Sequence, residues 1–283
     1  MRDTASLSNN EIWSITALTG GDLLVGTATG LDRYLARTGT FRHVRTSVLD
    51  DGCWQTVHAR GSRILLYSPL STNFIVIEGE RIRIIPSGHG PTYAMHCDAG
   101  GERIRYHVFP DTLVDLDLAG GKEQWVIIPA HVMGKVNEVL PLADGTLVFT
   151  NEGAWIMDDH GQSKPVPGEA GTLLRAGEGR KRARRSPTGH LWCTMDQVGV
   201  IEVDEQWNIL QFHPLVHKDD RPLMLTSIAF DRQGNTWVGS DGKGVFLIAP
   251  ERIKFNRAAP GSLPGWVPDS WFVRGFAQWD STR

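Results

Sequence analysis

The sequence has 283 residues, 41% of them hydrophobic and 22% charged, which is typical of a globular protein rather than a disordered one. Its formal net charge of -3 gives no overall attraction to nucleic acid or to an anionic membrane, so we expect neither partner. Three cysteines, Cys53, Cys97 and Cys193, occur without a Cys-x-x-Cys pair, so no zinc site and no disulfide framework are expected. No apolar run reaches the ~20 residues of a membrane span, and the N-terminus lacks the apolar core of a signal peptide.

The chain is built from one hairpin that recurs. In its first copy, GGDLLVGTATGLDRYL at 20–35, an apolar strand ends at Thr27 and a turn of small residues leads to an alternating strand. QGNTWVGSDGKGVFLI at 233–248 repeats this plan, with Ser240 in the place of Thr27. Four weaker copies lie between them and end their first strands at Ser68, Val108, Thr150 and Thr194. Successive copies are spaced by 41, 40, 42, 44 and 46 residues, which indicates a repeat protein.

Each copy of the hairpin has one short strand before it and another after it, such as IWSITAL and FRHVRT around the first copy. Four short strands in ~42 residues, without a helical period, are typical of one blade of a β-propeller. We therefore predict an all-β fold, a β-propeller of four-stranded antiparallel blades, with six complete blades and a partial seventh. The predicted blades of this single domain, 1–283, are approximately 7–46, 47–91, 92–133, 134–171, 172–222 and 223–262.

The segment 263–283 is predicted to be the partial seventh blade or a tail. It contains WFVRGFAQWDSTR, which matches the first strand of a blade and then stops, so we expect the chain to be cut short there. Blades 1 and 6 would then each present an apolar face that needs cover. We expect the segment to fold against one or both of them, because it is rich in aromatic residues, namely Trp266, Trp271, Phe272, Phe276 and Trp279.

The repeat resembles a known family. LSNNEIWSITALTGGDLLVGTATGLDRY and LTSIAFDRQGNTWVGSDGKGVFLI are similar to the two-component regulator propeller repeat, roughly L-x-N-x-V-x-x-I-x-x-D-x-x-G-x-L-W-I-G-T-x-x-G-L-x-x-Y. The first stretch shares with that pattern Leu7, Asn9, Ile12, Ile15, Gly21, Gly26, Thr27, Gly30, Leu31 and Tyr34. The last shares Ile228, Asp231, Gly234, Trp237, Gly239, Ser240 and Gly244, and the fifth blade shares Gly189, Leu191, Trp192 and Thr194.

The resemblance implies a sensor. Propellers of this family usually form extracytoplasmic, for example periplasmic, regions in front of a membrane span and a histidine kinase or diguanylate cyclase module. The implied ligand is a small molecule or an oligosaccharide, and no cofactor is implied. This chain departs from the family in having no signal, span or output module, so we expect no membrane contact by this chain.

One basic run, GRKRARRSP at 179–187, falls where the first strand of the fifth blade is predicted. The first strand of a blade is innermost and lines the central channel. Arg182, Arg184 and Arg185 would then form a positive wall suited to a carboxylate or sulfate ligand. The alternatives are a solvated loop before a shifted strand and a basic patch that resembles a nucleic-acid-binding surface but has no function.

Histidines offer a second kind of site. His89 and His131 lie in comparable loops just before blades 3 and 4, and are candidates for ligand binding. Streptogramin-lyase-type propellers are similar in repeat style and use a central histidine, with acidic groups and a metal. No Glu neighbours either histidine here, so we favour a binding module over an enzyme and predict no catalytic residues and no metal. An interaction scaffold, which could also self-associate through the propeller faces or the open ring edge, is the third alternative.

Overall fold

The structure is a computed structural model. It describes residues 6–18, 20–44, 49, 54–60, 63–68, 71, 73–79, 81–87, 94–98, 100–132, 134–177, 179–215, 223–231, 233–249 and 252–258. These residues form six antiparallel sheets of four strands each and one helix, α1. The prediction of six four-stranded blades is therefore confirmed. The predicted seventh blade, 263–283, lies outside the described residues.

The strands follow the chain in order. Sheet 1 contains β1 (Ile12–Ala17), β2 (Leu23–Thr27), β3 (Gly30–Leu35) and β4 (Thr40–Val44). Sheet 2 contains β5 (Gln55–Arg60), β6 (Arg63–Tyr67), β7 (Asn73–Glu78) and β8 (Arg81–Pro86). Sheet 3 contains β9 (Met95–Cys97), β10 (Arg103–Val108), β11 (Thr112–Asp117) and β12 (Glu123–Ile127).

The second half of the chain repeats this arrangement. Sheet 4 contains β13 (Val136–Leu142), β14 (Gly145–Thr150), β15 (Gly153–Met157) and β16 (Ser163–Pro165). Sheet 5 contains β17 (Lys181–Arg185), β18 (Leu191–Met195), β19 (Gly199–Val203) and β20 (Ile209–Pro214). Sheet 6 contains β21 (Leu225–Phe230), β22 (Thr236–Ser240), β23 (Val245–Ala249) and β24 (Arg252–Ala258).

Neighbouring sheets pack face to face, and the first strand of each lies against the first strand of the next, from β1 through β21. Five buried apolar clusters fill the five interfaces between consecutive sheets. The interface of sheets 2 and 3, for example, buries Phe74 against Tyr106 with ring centroids 5.2 Å apart. Such mutual cover is what lets a sheet with two apolar faces fold at all. Among the described residues, no apolar cluster and no first-strand contact of that extent joins sheets 6 and 1.

The close approach of sheet 2 explains why the repeat has a glycine at Gly26. A Cβ atom at this residue would lie 1.8 Å from the carbonyl oxygen of Trp54, which belongs to the segment leading into sheet 2. A side chain is therefore excluded by the close approach of the next sheet.

Helix α1 (Gly168–Ala176) was not expected from the sequence, which shows no helical period over a useful length. The helix is two turns long and buries Ala170 and Leu174, one turn apart, in the apolar interface of sheets 4 and 5. Two buried positions are too few for a period to be recognised.

Candidate functional site

The central channel is lined by first strands, and bulges in these strands direct side chains into it. Relative to its partner strand, β1 has one extra residue, Trp13, and β13 and β21 have one extra residue each, Asn137 and Thr226. A bulge bends its strand and re-aims the unpaired residue. All three of these side chains line one cavity on the channel axis.

This cavity, here called the channel cavity, has a volume of about 640 Å³. That size is within the range of small-molecule sites in proteins. Every one of the six sheets contributes to its wall. The lining residues are Trp13, Gln55, Tyr67, Met95, Lys135, Val136, Asn137, Asn151, Gly179, Arg180, Arg182, Asp196, Met224 and Thr226.

Arg182 is the residue of the basic run that reaches the channel cavity. Its Nη1 donates a hydrogen bond of 2.6 Å to the carbonyl oxygen of Asn137 and lies 3.4 Å from Oε2 of Glu138. Glu138 is buried, whereas the Arg182 side chain is 26% exposed. The guanidinium is therefore held from the sheet 4 side and still open to the channel.

Strand alternation separates Lys181 from Arg182, whereas Arg184 shares the face of Arg182. Lys181 is fully buried and points into the interface with sheet 4. Nη1 of Arg184 lies 3.2 Å from Glu138 Oε2, and Nη1 of Arg185 donates to the carbonyl oxygen of Gly189 at 2.9 Å. The run thus does not form one continuous cationic wall. The run lies on β17, the first strand of sheet 5, as the sequence predicts, and does not form the solvated loop that was one alternative.

Asp196 is a buried carboxylate in the wall between sheets 5 and 6. It accepts hydrogen bonds from the backbone N–H of Arg180, at 2.9 Å, and of Leu225, at 2.7 Å. Burial raises the pKa of Asp196 although these two hydrogen bonds oppose the shift. The lining residues thus include three cationic side chains, Lys135, Arg180 and Arg182, and one carboxylate whose charge is disfavoured by burial. Two carboxylates outside the lining, Glu138 and Asp241, contact Arg182 and Arg180, respectively.

Arg180 adds a contact to sheet 6. Its Nη2 lies 3.7 Å from Oδ2 of Asp241 and 3.6 Å from the sulfur of Met224. Arg180 precedes β17, so sequence analysis did not include it among the candidates. Lys135, just before β13, was missed for the same reason.

His131 lies away from the channel cavity. Its Nε2 is 2.7 Å from Oγ of Ser163 on β16, the outermost strand of sheet 4, and its ring packs edge-on against Trp155 at 5.7 Å. The structure therefore does not bring His131 together with Arg182. His89 lies outside the described residues.

A second cavity of about 350 Å³ lies between sheets 3 and 4 and is lined mainly by polar groups. His96, Arg105, Asp115 and Gln124 form one row across the four strands of sheet 3. Arg105 is paired with both Asp115 and Asp159. All three guanidinium nitrogens of Arg105 donate to protein acceptors, whereas the contacts of Arg182 to Asn137 and Glu138 use Nη1 alone, so this cavity is a weaker candidate for an anion.

Among the described residues, no group of three or more His, Cys, Asp or Glu side chains is placed to hold a metal ion. Across the same residues, no helix has the length and apolar character needed to span a membrane.

Comparison with known proteins shows the fold. No family model matches the chain, and no curated protein matches it in sequence. Solved structures do match. The extracellular domain of BT3049 from B. thetaiotaomicron, described as a hybrid two-component system, has a TM-score of 0.68 at 14% identity. That match covers 93% of this chain but only 37% of the BT3049 chain, so this chain spans little more than a third of the length of the BT3049 chain.

Two further matches have the same architecture. The extracellular domain of BT4673 from B. thetaiotaomicron, also described as a hybrid two-component system, has a TM-score of 0.70 at 11% identity and covers 96% of this chain and 36% of that one. A catalytically inactive virginiamycin B lyase from Staphylococcus aureus, solved with Quinupristin, has a TM-score of 0.66 at 11% identity. That match covers 89% of this chain and 85% of the lyase. At these identities the likeness establishes the class of fold, a β-propeller. Extracellular domains described as parts of two-component systems and an enzyme are both among the proteins that share it.

Proposed function

We propose that this chain is the ligand-binding sensor propeller of a larger signal-transduction receptor and that its ligand is a small anion bound in the channel cavity. The observation that carries the proposal is the Arg182 guanidinium, which is fixed by Asn137 and Glu138 and still faces a cavity that all six sheets line. A guanidinium held in place by the protein is well suited to a carboxylate or sulfate, because less conformational entropy is lost on binding.

The sensor role is supported by the structural neighbours. Two of them are extracellular domains described as parts of two-component systems, and this chain matches little more than a third of each. We infer an extracytoplasmic, for example periplasmic, location and an output module, a histidine kinase or a diguanylate cyclase, elsewhere in the full-length protein. The resemblance of the repeat to the two-component regulator propeller points in the same direction.

The experiment uses the whole chain and two variants of the same strand. A panel of carboxylates, sulfated sugars and neutral oligosaccharides is screened by thermal shift, and hits are measured by calorimetry. Arg182→Gln should weaken anion binding by about tenfold or more, because a hydrogen bond to a charged group is lost. Arg185→Gln removes the same charge outside the cavity wall and should bind as the wild type does. Equal binding by the wild type and Arg182→Gln would refute the proposed site.

The alternative is a lyase-like enzyme, and the similarity to virginiamycin B lyase is what favours it. An enzyme of this kind would need a histidine with acidic partners near the channel, whereas the candidate His131 contacts Ser163 and Trp155 at the outer strands. Two other histidines do pair with carboxylates, His43 with Asp32 and His190 with Glu202, but neither histidine lines the channel cavity. We therefore propose a binding module rather than a catalyst. Incubation with quinupristin and divalent metal, followed by mass spectrometry, tests this, since turnover that depends on His131 would establish the alternative.

A further inference from the structure

The channel cavity has two chemically different halves. The cationic side chains Lys135 and Arg182 come from sheets 4 and 5. Trp13, Tyr67 and Met95 come from sheets 1, 2 and 3. Because the sheets follow one another around the channel axis, sheets 1 to 3 form the half of the ring opposite sheets 4 to 6. Two aromatic rings and a thioether therefore lie in the half opposite the cationic wall, which also contains Val136, Asp196 and Met224.

The cationic wall retains donors for a ligand. Within the described residues, the contacts of Arg182 to Asn137 and Glu138 all use Nη1. Its Nη2 and Nε are the donors that a carboxylate accepts in the two-bond arrangement typical of arginine. An anionic group is thus best placed on the sheet 5 side of the cavity.

The opposite wall favours a flat apolar body. Tyr67 is almost fully buried in the cluster of sheets 2 and 3, and its ring packs at a tilt against Phe74, with centroids 5.4 Å apart, so the part of Tyr67 that lines the cavity is fixed. Met95 on sheet 3 packs against the same apolar cluster, and a methionine sulfur makes favourable contacts with aromatic rings. A planar π system can meet these rings in the offset or edge-to-face arrangements that aromatic pairs favour.

We propose that the ligand class of the channel cavity is a small aromatic carboxylate, with its carboxylate on Arg182 and its ring against Tyr67, Met95 and Trp13. This inference rests on the proposed function and narrows it from any small anion to one with a planar apolar body. A cavity of about 640 Å³ is large enough for a ring system of two fused rings.

Three matched probes test the ligand class on the whole chain. They are 2-naphthoate, its uncharged amide, and the saturated acid decahydro-2-naphthoate, each measured by calorimetry. We expect 2-naphthoate to bind and the other two to bind at least about tenfold more weakly, because each lacks one of the two complementary groups. Trp13→Leu keeps an apolar side chain and should reduce the preference for the aromatic acid over the saturated one. Arg182→Gln should weaken both acids, and Arg185→Gln should weaken neither.

The outcomes separate the two proposals. If the saturated acid binds as tightly as 2-naphthoate and both depend on Arg182, the ligand class is wrong and the anion site stands. If all three probes fail to bind at millimolar concentration while another anion of the panel binds through Arg182, the aromatic class is again wrong. If no anion depends on Arg182, both proposals fail.

Discussion

The ammonium group of Lys181 on β17 donates a hydrogen bond of 2.9 Å to the carbonyl oxygen of Asn151, in the turn between β14 and β15 of the neighbouring sheet. A second bond, of 3.2 Å, goes to the carbonyl oxygen of Thr150. Lys181 is fully buried, so at this point sheets 4 and 5 are joined by hydrogen bonds instead of by an apolar contact. An ammonium group is otherwise costly to bury, and the two carbonyls are what compensate it.

Truncation of Lys181 should therefore destabilise the protein. We expect Lys181→Ala to lower the free energy of unfolding by about 2–4 kcal/mol, since it leaves a cavity and two carbonyls without a donor. Lys181→Met keeps the apolar stem and should cost less, about 1–2 kcal/mol. Urea denaturation followed by tryptophan fluorescence measures both. Lys164→Met, at an exposed position of β16, is the control and should have no measurable effect. A Lys181→Ala variant as stable as this control would show that the connection contributes nothing.

Lys181 should also make stability depend on pH. Burial lowers the pKa of Lys181 from its ordinary value of 10.5, an effect that the charges of Asp196 and Glu152 oppose. Between the lowered pKa of the folded state and 10.5, the unfolded chain binds more protons than the folded one, so the free energy of unfolding rises with pH in this window. Relative to Lys181→Met, the wild type should gain stability as the pH is raised through the lowered pKa of the folded state toward 10.5. A difference between the two that stays constant with pH would contradict the assignment.

Gly26 provides a test of how closely the sheets approach. Gly26→Ala would place a methyl group against the carbonyl oxygen of Trp54, which belongs to the backbone and cannot rotate away. We expect a loss of about 1–3 kcal/mol in the free energy of unfolding, typical of overpacking. At Gly100 an added Cβ meets side-chain atoms at 3.6 Å, an ordinary contact, so Gly100→Ala is the matched control. Equal melting temperatures of the two variants would mean that sheet 2 can move away from sheet 1 at little cost.

The fold could be predicted from the sequence because its signal is repeated. Each unit has its own turn glycines and alternating strands, so a weak copy such as the one ending at Val108 is supported by strong copies at Thr27 and Ser240. Alignment of the basic run with the first strand of sheet 6 predicts the inner position of Arg182. The strand period also predicts that Lys181 and Arg182 point to opposite faces, a step that sequence analysis did not take.

The rest of the site depends on contacts between units, which leave no pattern along the chain. Trp13, Asn137 and Thr226 enter the cavity through bulges, and a bulge is a one-residue difference between two strands. The acceptors of Lys181 are backbone carbonyls, which every residue has. Asp196 accepts hydrogen bonds from two backbone N–H groups, that of Arg180, just before β17 of the same sheet, and that of Leu225, on β21 of sheet 6. None of these partners is identified by residue type.

The interface between sheets 6 and 1 leads to the last prediction. Five interfaces have an apolar cluster, and among the described residues none joins sheets 6 and 1. The segment 263–283 lies outside those residues and has five large aromatic side chains. If it covers the faces of sheet 1 or sheet 6, a chain ending at residue 262 should melt at a lower temperature or aggregate, because it would expose apolar surface.

A second variant tests whether the aromatic side chains of the segment, and not its length alone, stabilise the protein. Replacing Trp271 and Phe272 together with Ser keeps the length of the segment and removes two of its aromatic side chains, so it should cause part of the loss seen on truncation. Thermal unfolding and light scattering of the wild type, the truncated chain and the double variant measure the effect. If all three melt together and stay monomeric, the segment is only a linker, and sheets 1 and 6 must cover each other without it.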